Sequence, residues 1–385
     1  MRDIYFDNSA TTRVYPEAAE LVAETMSIDY GNPSSMHTLG VRSEKYLKVS
    51  KNQIAKTLGV SDKEIYFTSG GTESNNWAII GAAMAMRRLG NHIITSKMEH
   101  PSVSETMKYL EKQGFEVSYV GIDPDGNLNL KELEDSVRPD TILISVMIVN
   151  NEIGAFTDAG AISEIRKRKC PKAIYHADAV QAYGKYEIRP KRLGIDLMSV
   201  SGHKIHGPKG IGFLYKSSGV RILPLIYGGG QQDGLRSGTD NVPGIAGIGK
   251  AAEISYSNLN KNREYLYGLK KHLVEKLSEL ENVVINGPVD EKGAPHIVNA
   301  SFVGVGSEVM LHSLEDKGIY VSAGSACSTH KRSKSPTLSA LGVSDEIIGS
   351  AIRFSFSEYN TTEEIDIAVG EIKKLLPVLR RYRSY

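Results

Sequence analysis

The chain has 385 residues, enough to bury a large core and to divide into two domains. Its 46 basic and 45 acidic side chains nearly cancel, which excludes the charge footprint of a nucleic-acid binder or an acidic tail. The longest apolar run, 142–149, is too short to cross a bilayer, the start (Met1–Asp7) has no secretory apolar core, and two cysteines make no disulfide framework, so a cytoplasmic protein is expected.

From about residue 60 to 215, short β-rich runs alternate with longer helical patterns. The runs are 64–67, 92–95, 116–120, 141–149, 173–176, 196–200 and 211–215. The 142–149 run is apolar at nearly every position, as a strand covered on both faces should be. The alternation predicts an α/β fold with a mostly parallel seven-stranded sheet wrapped by helices. A long amphipathic helix over about 259–281 follows. Strands at 282–286, 297–302, 318–322 and 351–356 then alternate with helices starting near Ser307, Pro336 and Thr361. Thr361-Thr-Glu-Glu364 reads as a capping box. This second part predicts a smaller α+β domain, and the first dozen residues could dock on either.

Parallel sheets hold ligands beyond the carboxyl ends of their strands, so the residues just after each strand carry the functional reading. Thr68-Ser-Gly-Gly-Thr-Glu-Ser74 opens a helical run; its glycines and hydroxyls suit a phosphate cradle, or simply a glycine turn capped by Thr72. It is neither a Walker A nor a dinucleotide glycine motif. His100, followed by Pro101 as first helical residue, could stack on a flat cofactor, move protons or cap the helix. Asn150 and Asn151 could orient a polar ligand or form a turn. Asp178 follows an apolar strand, where a buried carboxylate needs a cation or several hydrogen bonds. Lys204, in Ser201-Gly-His-Lys204, is a surface lysine or an imine former. His203 and His206 have no cysteine or carboxylate at ligand spacing, so no metal site is expected. Cys327 stands on a run of small residues before the basic stretch 329–335, where nearby positive charge favours a thiolate nucleophile. Cys170, among charges before Pro171, reads as an incidental surface thiol.

Taken together, an imine-forming lysine, an aspartate for a pyridinium nitrogen, a phosphate cradle and a stacking ring describe a pyridoxal phosphate (PLP) site. The same stretches resemble cysteine desulfurases of the NifS/IscS type, within the class-V aminotransferases and the fold-type I PLP enzymes. The resemblance runs nearly end to end. It includes Tyr5-Phe-Asp-Asn-Ser-Ala-Thr-Thr12, Gly31-Asn-Pro-Ser34, Phe67–Ser74, Glu99-His100, Val149–Gly154, His176-Ala-Asp-Ala-Val-Gln181, Ser201-Gly-His-Lys204, Arg236-Ser-Gly-Thr239, Gly324-Ser-Ala-Cys327 and Ile352-Arg-Phe-Ser355. The pair Ser-Gly-His-Lys and Gly-Ser-Ala-Cys distinguishes this group from the selenocysteine-lyase-like branch.

The resemblance implies a large PLP-binding domain over 14–258 and a small domain formed by 1–13 and 259–385. It implies a Schiff base on Lys204, Asp178 at the pyridine nitrogen, Gln181 at the ring oxygen and His100 stacked on the ring. Gly71, Thr72, Ser201 and His203 would hold the phosphate, and Thr239 would reach the phosphate of the other subunit of a homodimer. Asn151 and Arg353 would hold the carboxylate of L-cysteine, and Cys327 would take its sulfur as a persulfide for an acceptor protein. The alternatives are a selenocysteine lyase, a PLP aminotransferase and, from another class, a non-catalytic sulfur-carrier platform. No direct nucleic-acid or membrane partner is expected.

Two departures from the family pattern stand out. Asp233, in Gly228-Gly-Gly-Gln-Gln-Asp-Gly234, replaces a usual base near the expected dimer interface. The segment 329–336 is longer and more basic than in housekeeping members, and the chain stops at Tyr385 where they carry a scaffold-docking extension. The acceptor is therefore left open between an iron–sulfur scaffold and a thiolation enzyme. His330, Lys331, Arg332 and Lys334 could meet an acidic acceptor surface or simply face solvent.

Overall fold

The computed structural model describes residues 3–323 and 334–381. A two-residue strand β1 (Ile4–Tyr5) precedes the seven strands of the main sheet. These are β2 (Ile65–Thr68), β3 (His92–Ser96), β4 (Glu116–Val120), β5 (Thr141–Ser145), β6 (Ile174–Asp178), β7 (Leu197–Ser201) and β8 (Gly212–Lys216). Their spatial order is β2-β8-β7-β6-β5-β3-β4, parallel throughout except for β8, which is antiparallel to both neighbours. The expected seven-stranded, mostly parallel sheet is thus present. Strands β2, β3, β5, β6, β7 and β8 are buried at every residue, as strands covered by helices on both faces should be.

A second sheet follows the helix Leu259–Ser278. Strands β9 (Val283–Asn286), β10 (Ile297–Phe302), β11 (Ile319–Tyr320), β12 (Ser322–Ala323) and β13 (Ala351–Ser355) come in chain order, with β12-β13-β10-β9 forming an antiparallel sheet. The first residues join this part: β1 pairs in parallel with β11, and Ile4 and Phe6 sit in the apolar cluster of Leu273, Phe302, Phe354 and Ile365. The helix Thr362–Arg381 begins at the expected capping box, with Thr361 Oγ1 accepting from Glu364 N and Glu364 Oε2 accepting from Thr361 N, each at 3.2 Å.

Three expectations need correction. The apolar run 142–149 is not one strand: the ladder ends at Ser145, and beyond it only alternate amides, Val146 N and Ile148 N, reach the carbonyls of His176 and Asp178. The 318–322 strand is two, because the chain passes from β1 to the four-stranded sheet at Val321. Cys170 is no surface thiol. It is 7 % exposed and faces the main core, because it caps the end of the helix Ala159–Lys169 where the chain turns inward. Burial pushes its thiol pKa up, away from reactivity.

The antiparallel β8 lets the glycine turn after β2 come close. Gly212 pairs with both Thr68 and Ser201, and a Cβ on it would stand 2.5 Å from Val200 O and 2.7 Å from Gly70 Cα. Backbone cannot yield as a flexible side chain could, so Gly212→Ala is expected to destabilise the protein by about 1–3 kcal/mol, read as a lower urea midpoint. An unchanged midpoint would show that the turn relaxes freely.

Candidate active site

The carboxyl ends of the parallel strands and the N-terminal segment enclose a cavity of about 420 Å³. Gly71, Thr72, His100, Asn151, Asp178, Gln181, Ser201, His203, Lys204 and Arg353 all line it. Thr239, also predicted as a site residue, is exposed and lies outside this cavity. Cys327 falls outside the described residues, as do His330, Lys331 and Arg332. Larger grooves of about 680 and 830 Å³ lie near Lys56 and Tyr265, but they share no lining residue with this cavity.

Asp178 ends β6 and is buried. Its Oδ2 accepts from Asn75 Nδ2 at 2.7 Å and its Oδ1 from Val180 N at 2.9 Å, both neutral donors. The same Asn75 amide reaches Ser102 Oγ at 2.9 Å, and Ser102 Oγ pairs with His100 Nδ1 at 2.8 Å. One row thus fixes the carboxylate and the imidazole together. His100 also accepts from Ser102 N at 3.1 Å, capping the helix Pro101–Lys112, so it both caps and faces the cavity. Burial lowers its pKa below the ordinary range; the Asp178 charge opposes this and Lys204 adds to it.

Lys204 follows β7 in a short 3₁₀ turn, and its Nζ donates to Ser9 O and, at 2.8 Å, to Ala10 O. The N-terminal segment is held there by Thr12 Oγ1 and Thr12 N, each donating to His203 O at 2.9 Å. The His203 ring meets Thr11 Oγ1 at 3.3 Å, and burial, then Lys204 and Lys209, hold its pKa down to about 4. His206 turns away from it, to Arg13 O and to Glu358 at 3.2 Å. The two histidines therefore share no ligand pocket.

The helix Gly71–Met86 points its first turn at the cavity, where helical N–H groups lack intrahelical partners. A Cβ at position 71 would lie 2.7 Å from Val180 Cγ2, so any larger residue would push Val180 aside at the cavity wall. Glu73, in that turn, is clamped by both Arg236 Nε (2.8 Å) and Nη2 (3.1 Å). On the opposite wall Arg353 of β13 donates Nη2 to Asp7 Oδ1 at 2.9 Å and Nη1 to Asn151 O at 2.8 Å. Its Nε is buried with no partner among the described residues.

Sequence reasoning did not single out Asn75, Ser102, Asp7 or the Ser9 carbonyl, although all lie in or next to the motifs it read. Asp233 sits at φ 58°, in the left-handed region that a short polar side chain tolerates better than most, which accounts for an acid at this turn.

A profile of the aminotransferase class-V family matches residues 4–367. The chain belongs to that family. It is 43% identical over 377 residues to a cysteine desulfurase IscS of Methanosarcina thermophila, covering 98% of this chain and 93% of the relative. It is 45% identical over 382 residues to a cysteine desulfurase IscS of Escherichia coli, with the same coverages of 98% and 93%. A solved NifS-like protein superposes with a TM-score of 0.93 at 40% identity, covering 98% of this chain and 100% of that one. The fold is that of the NifS-like enzymes.

His176, two residues before Asp178 on β6, is fully enclosed between Ser145 Oγ (2.8 Å) and Ser199 Oγ (3.0 Å), and burial drives its pKa down to about 3. Unfolded, it would take a proton near pH 6.5. The unfolded state therefore binds more protons between those values, so this contribution to stability is complete above about pH 6.5 and is lost as pH falls toward 3. His176→Gln should flatten the pH dependence of unfolding free energy between pH 6.5 and 5 by up to about 1.4 kcal/mol per pH unit, measured by urea denaturation. Identical slopes for wild type and variant would mean that His176 is charged in the fold.

Proposed function

We propose that the chain is a PLP-dependent cysteine desulfurase that converts L-cysteine to L-alanine and passes the sulfur, as a persulfide on Cys327, to an acceptor protein. The observation that carries this reading is the convergence of Asp178, Lys204, His100 and the Gly71–Thr72 helix start on one cavity. The residues fit the cofactor. The Asp178 carboxylate, anchored by two neutral N–H groups, suits a protonated ring nitrogen, and the helix start suits a phosphate. Ser201 and His203 would complete the phosphate's hold, with Thr239 serving the partner subunit's cofactor. Lys204 would carry the cofactor, His100 would cover the ring and Gln181 would meet its oxygen. When bound, the pyridoxal ring supplies an electron sink for the pair left on the substrate's α-carbon.

The chain's own groups do the rest. The Arg353 guanidinium, aimed by Asp7 and the Asn151 carbonyl, would hold the substrate carboxylate with Asn151. Lys204 Nζ would take and return the α-proton. His100 is neutral because it is buried, and since its Nδ1 accepts from Ser102 N its proton sits on Nε2, from which it would donate toward the substrate sulfur or the released fragment. The Cys327 thiolate attacks the substrate sulfur; the S–S bond forms as the C–S bond breaks, and the three-carbon fragment takes a proton and leaves as alanine.

We further infer a cytoplasmic homodimer in which residues 1–13 and 259–385 form one unit and 14–258 another. A thiol that carries a persulfide needs a reducing compartment. Met26, Ile28, Tyr30, Met36 and Val41 are all exposed on neighbouring segments, an apolar surface that a second copy would cover. The acceptor is an iron–sulfur scaffold or a tRNA- or cofactor-thiolation enzyme. Of the basic residues suggested to meet it, Lys334 is the one described, and it pairs with Asp345 at 2.7 Å.

Purified protein with PLP is expected to absorb visible light, and Lys204→Ala to lose that band. Wild-type protein that stays colourless with added PLP would overturn the reading. Cys327→Ala should keep the band but lose at least about 100-fold in alanine formation, and mass spectrometry of wild type after cysteine should place the extra sulfur on Cys327. An α-keto acid product would indicate a transaminase instead, and one sulfur per chain without turnover would indicate a carrier. Sedimentation at micromolar concentration should give twice the chain mass.

A further inference from the structure

Behind Gln181, on the side away from the cavity, lies His296, just before β10 and 2 % exposed. The hydrogen-bond roles along this row are forced. Ser9 O is a carbonyl and only accepts, so the amide Nε2 of Gln181, 3.0 Å away, must face it. The other end of that amide, Oε1, also only accepts, and it lies 3.3 Å from His296 Nε2. The imidazole proton therefore belongs on Nε2. Nδ1 of the same ring is buried with no partner among the described residues, and burial first, then Lys185, Lys270, Arg353 and Lys204, oppose a second proton. One neutral tautomer satisfies the row.

We propose that His296 is a positioning residue that locks the Gln181 amide with its NH₂ turned toward the cavity, so that Gln181 can only donate to the cofactor's ring oxygen. This rests on the PLP reading above. Gln181 borders the cavity and shares the Ser9 carbonyl with Lys204, so its NH₂ lies beside the lysine that would carry the cofactor. Without the His296 donor, Oε1 loses its buried partner, and the Ser9 carbonyl alone, shared with Lys204, holds the amide in its orientation. Whenever the amide turns, it presents an oxygen to an anionic ring oxygen, which repels it. A ring oxygen that has lost its donor holds the neighbouring proton more tightly.

The test reads the colour of the bound cofactor against pH in wild type, His296→Leu and His296→Gln, without substrate. His296→Leu should raise the midpoint of the spectral titration by about one pH unit, and His296→Gln, which keeps an N–H at the Nε2 position, should restore it. In a Gln181→Ala background, His296→Leu should move the midpoint no further, because His296 acts through Gln181. An unshifted His296→Leu, or a full shift in the Gln181→Ala background, overturns the proposal while leaving the PLP reading intact. A wild type that takes no colour removes the PLP reading and the proposal with it. Nitrogen-15 histidine spectra of wild type, with His296 assigned by its loss in His296→Gln, give a measurement that needs no cofactor and no folded leucine variant. They should show the Nε2–H tautomer unchanged from pH 6 to 8.5, and an Nδ1–H or titrating His296 overturns the proposal.

Discussion

The carbonyl oxygen of Ser9 accepts from both Gln181 Nε2 and Lys204 Nζ. For one backbone oxygen to do this, the segment from Asp7 to Thr12 must lie across the turn that follows β7. Other contacts depend on that path. Thr12 bonds His203 O, Ser9 N bonds Ser355 Oγ at 2.8 Å, and Asp7 reaches Arg353. The N-terminal segment thereby joins the main sheet, which supplies Asp178 and Lys204, to the small sheet, which supplies Arg353. A peptide carbonyl is neutral, does not titrate and is fixed by its own plane. It can orient a lysine without pairing its charge.

The electrostatics of the region follow from burial. His100, His176, His203 and His296 are all held below the ordinary imidazole range, with desolvation the largest cause in each. They supply hydrogen bonds and shape without adding positive charge next to Lys204 and Arg353. The two acids that line the cavity are each engaged: Asp178 by Asn75 and a backbone N–H, Asp7 by the Arg353 guanidinium. Lys204 and Arg353 on the walls of this cavity suit it to small anionic groups such as a phosphate or a carboxylate, while Asp178, held by neutral donors, keeps its own charge for a cationic partner. Glu99, fully buried and accepting from Met147 N at 3.0 Å, follows the same logic: burial raises its pKa to about 8, so at neutral pH it adds little charge.

Much of this could be read from the chain order. A mostly parallel sheet gathers the carboxyl ends of its strands on one edge, so Gly71, His100, Asn151, Asp178 and Lys204 were bound to meet if the alternation was right. Individual partners could not be read. Asn75 stands on a helix with ordinary spacing, and only the fold brings it to Asp178, 103 residues away. His296 carries no motif, and its link to Gln181 exists only once β10 is docked. Burial of Cys170 was hidden by the charges of Lys167–Lys169, which describe the helix surface and not its final turn. An apolar run such as 142–149 records burial but not where a hydrogen-bond ladder stops, and only the pairing of β5 with β6 shows that.

The stitching of the first residues to the last strand also has a consequence in time. Asp7 and Ser9 meet Arg353 and Ser355 across 346 residues. At typical rates of synthesis the N-terminal segment emerges roughly 20 to 70 s before its partners exist. The main sheet can form on the ribosome, since β8 completes it by Lys216, but the Asp7–Arg353 wall cannot. A nascent chain can therefore hold Asp178 and Lys204 in place while Arg353 is still unmade. The wall that joins the N-terminal segment to β13 is therefore the last part of the cavity to form.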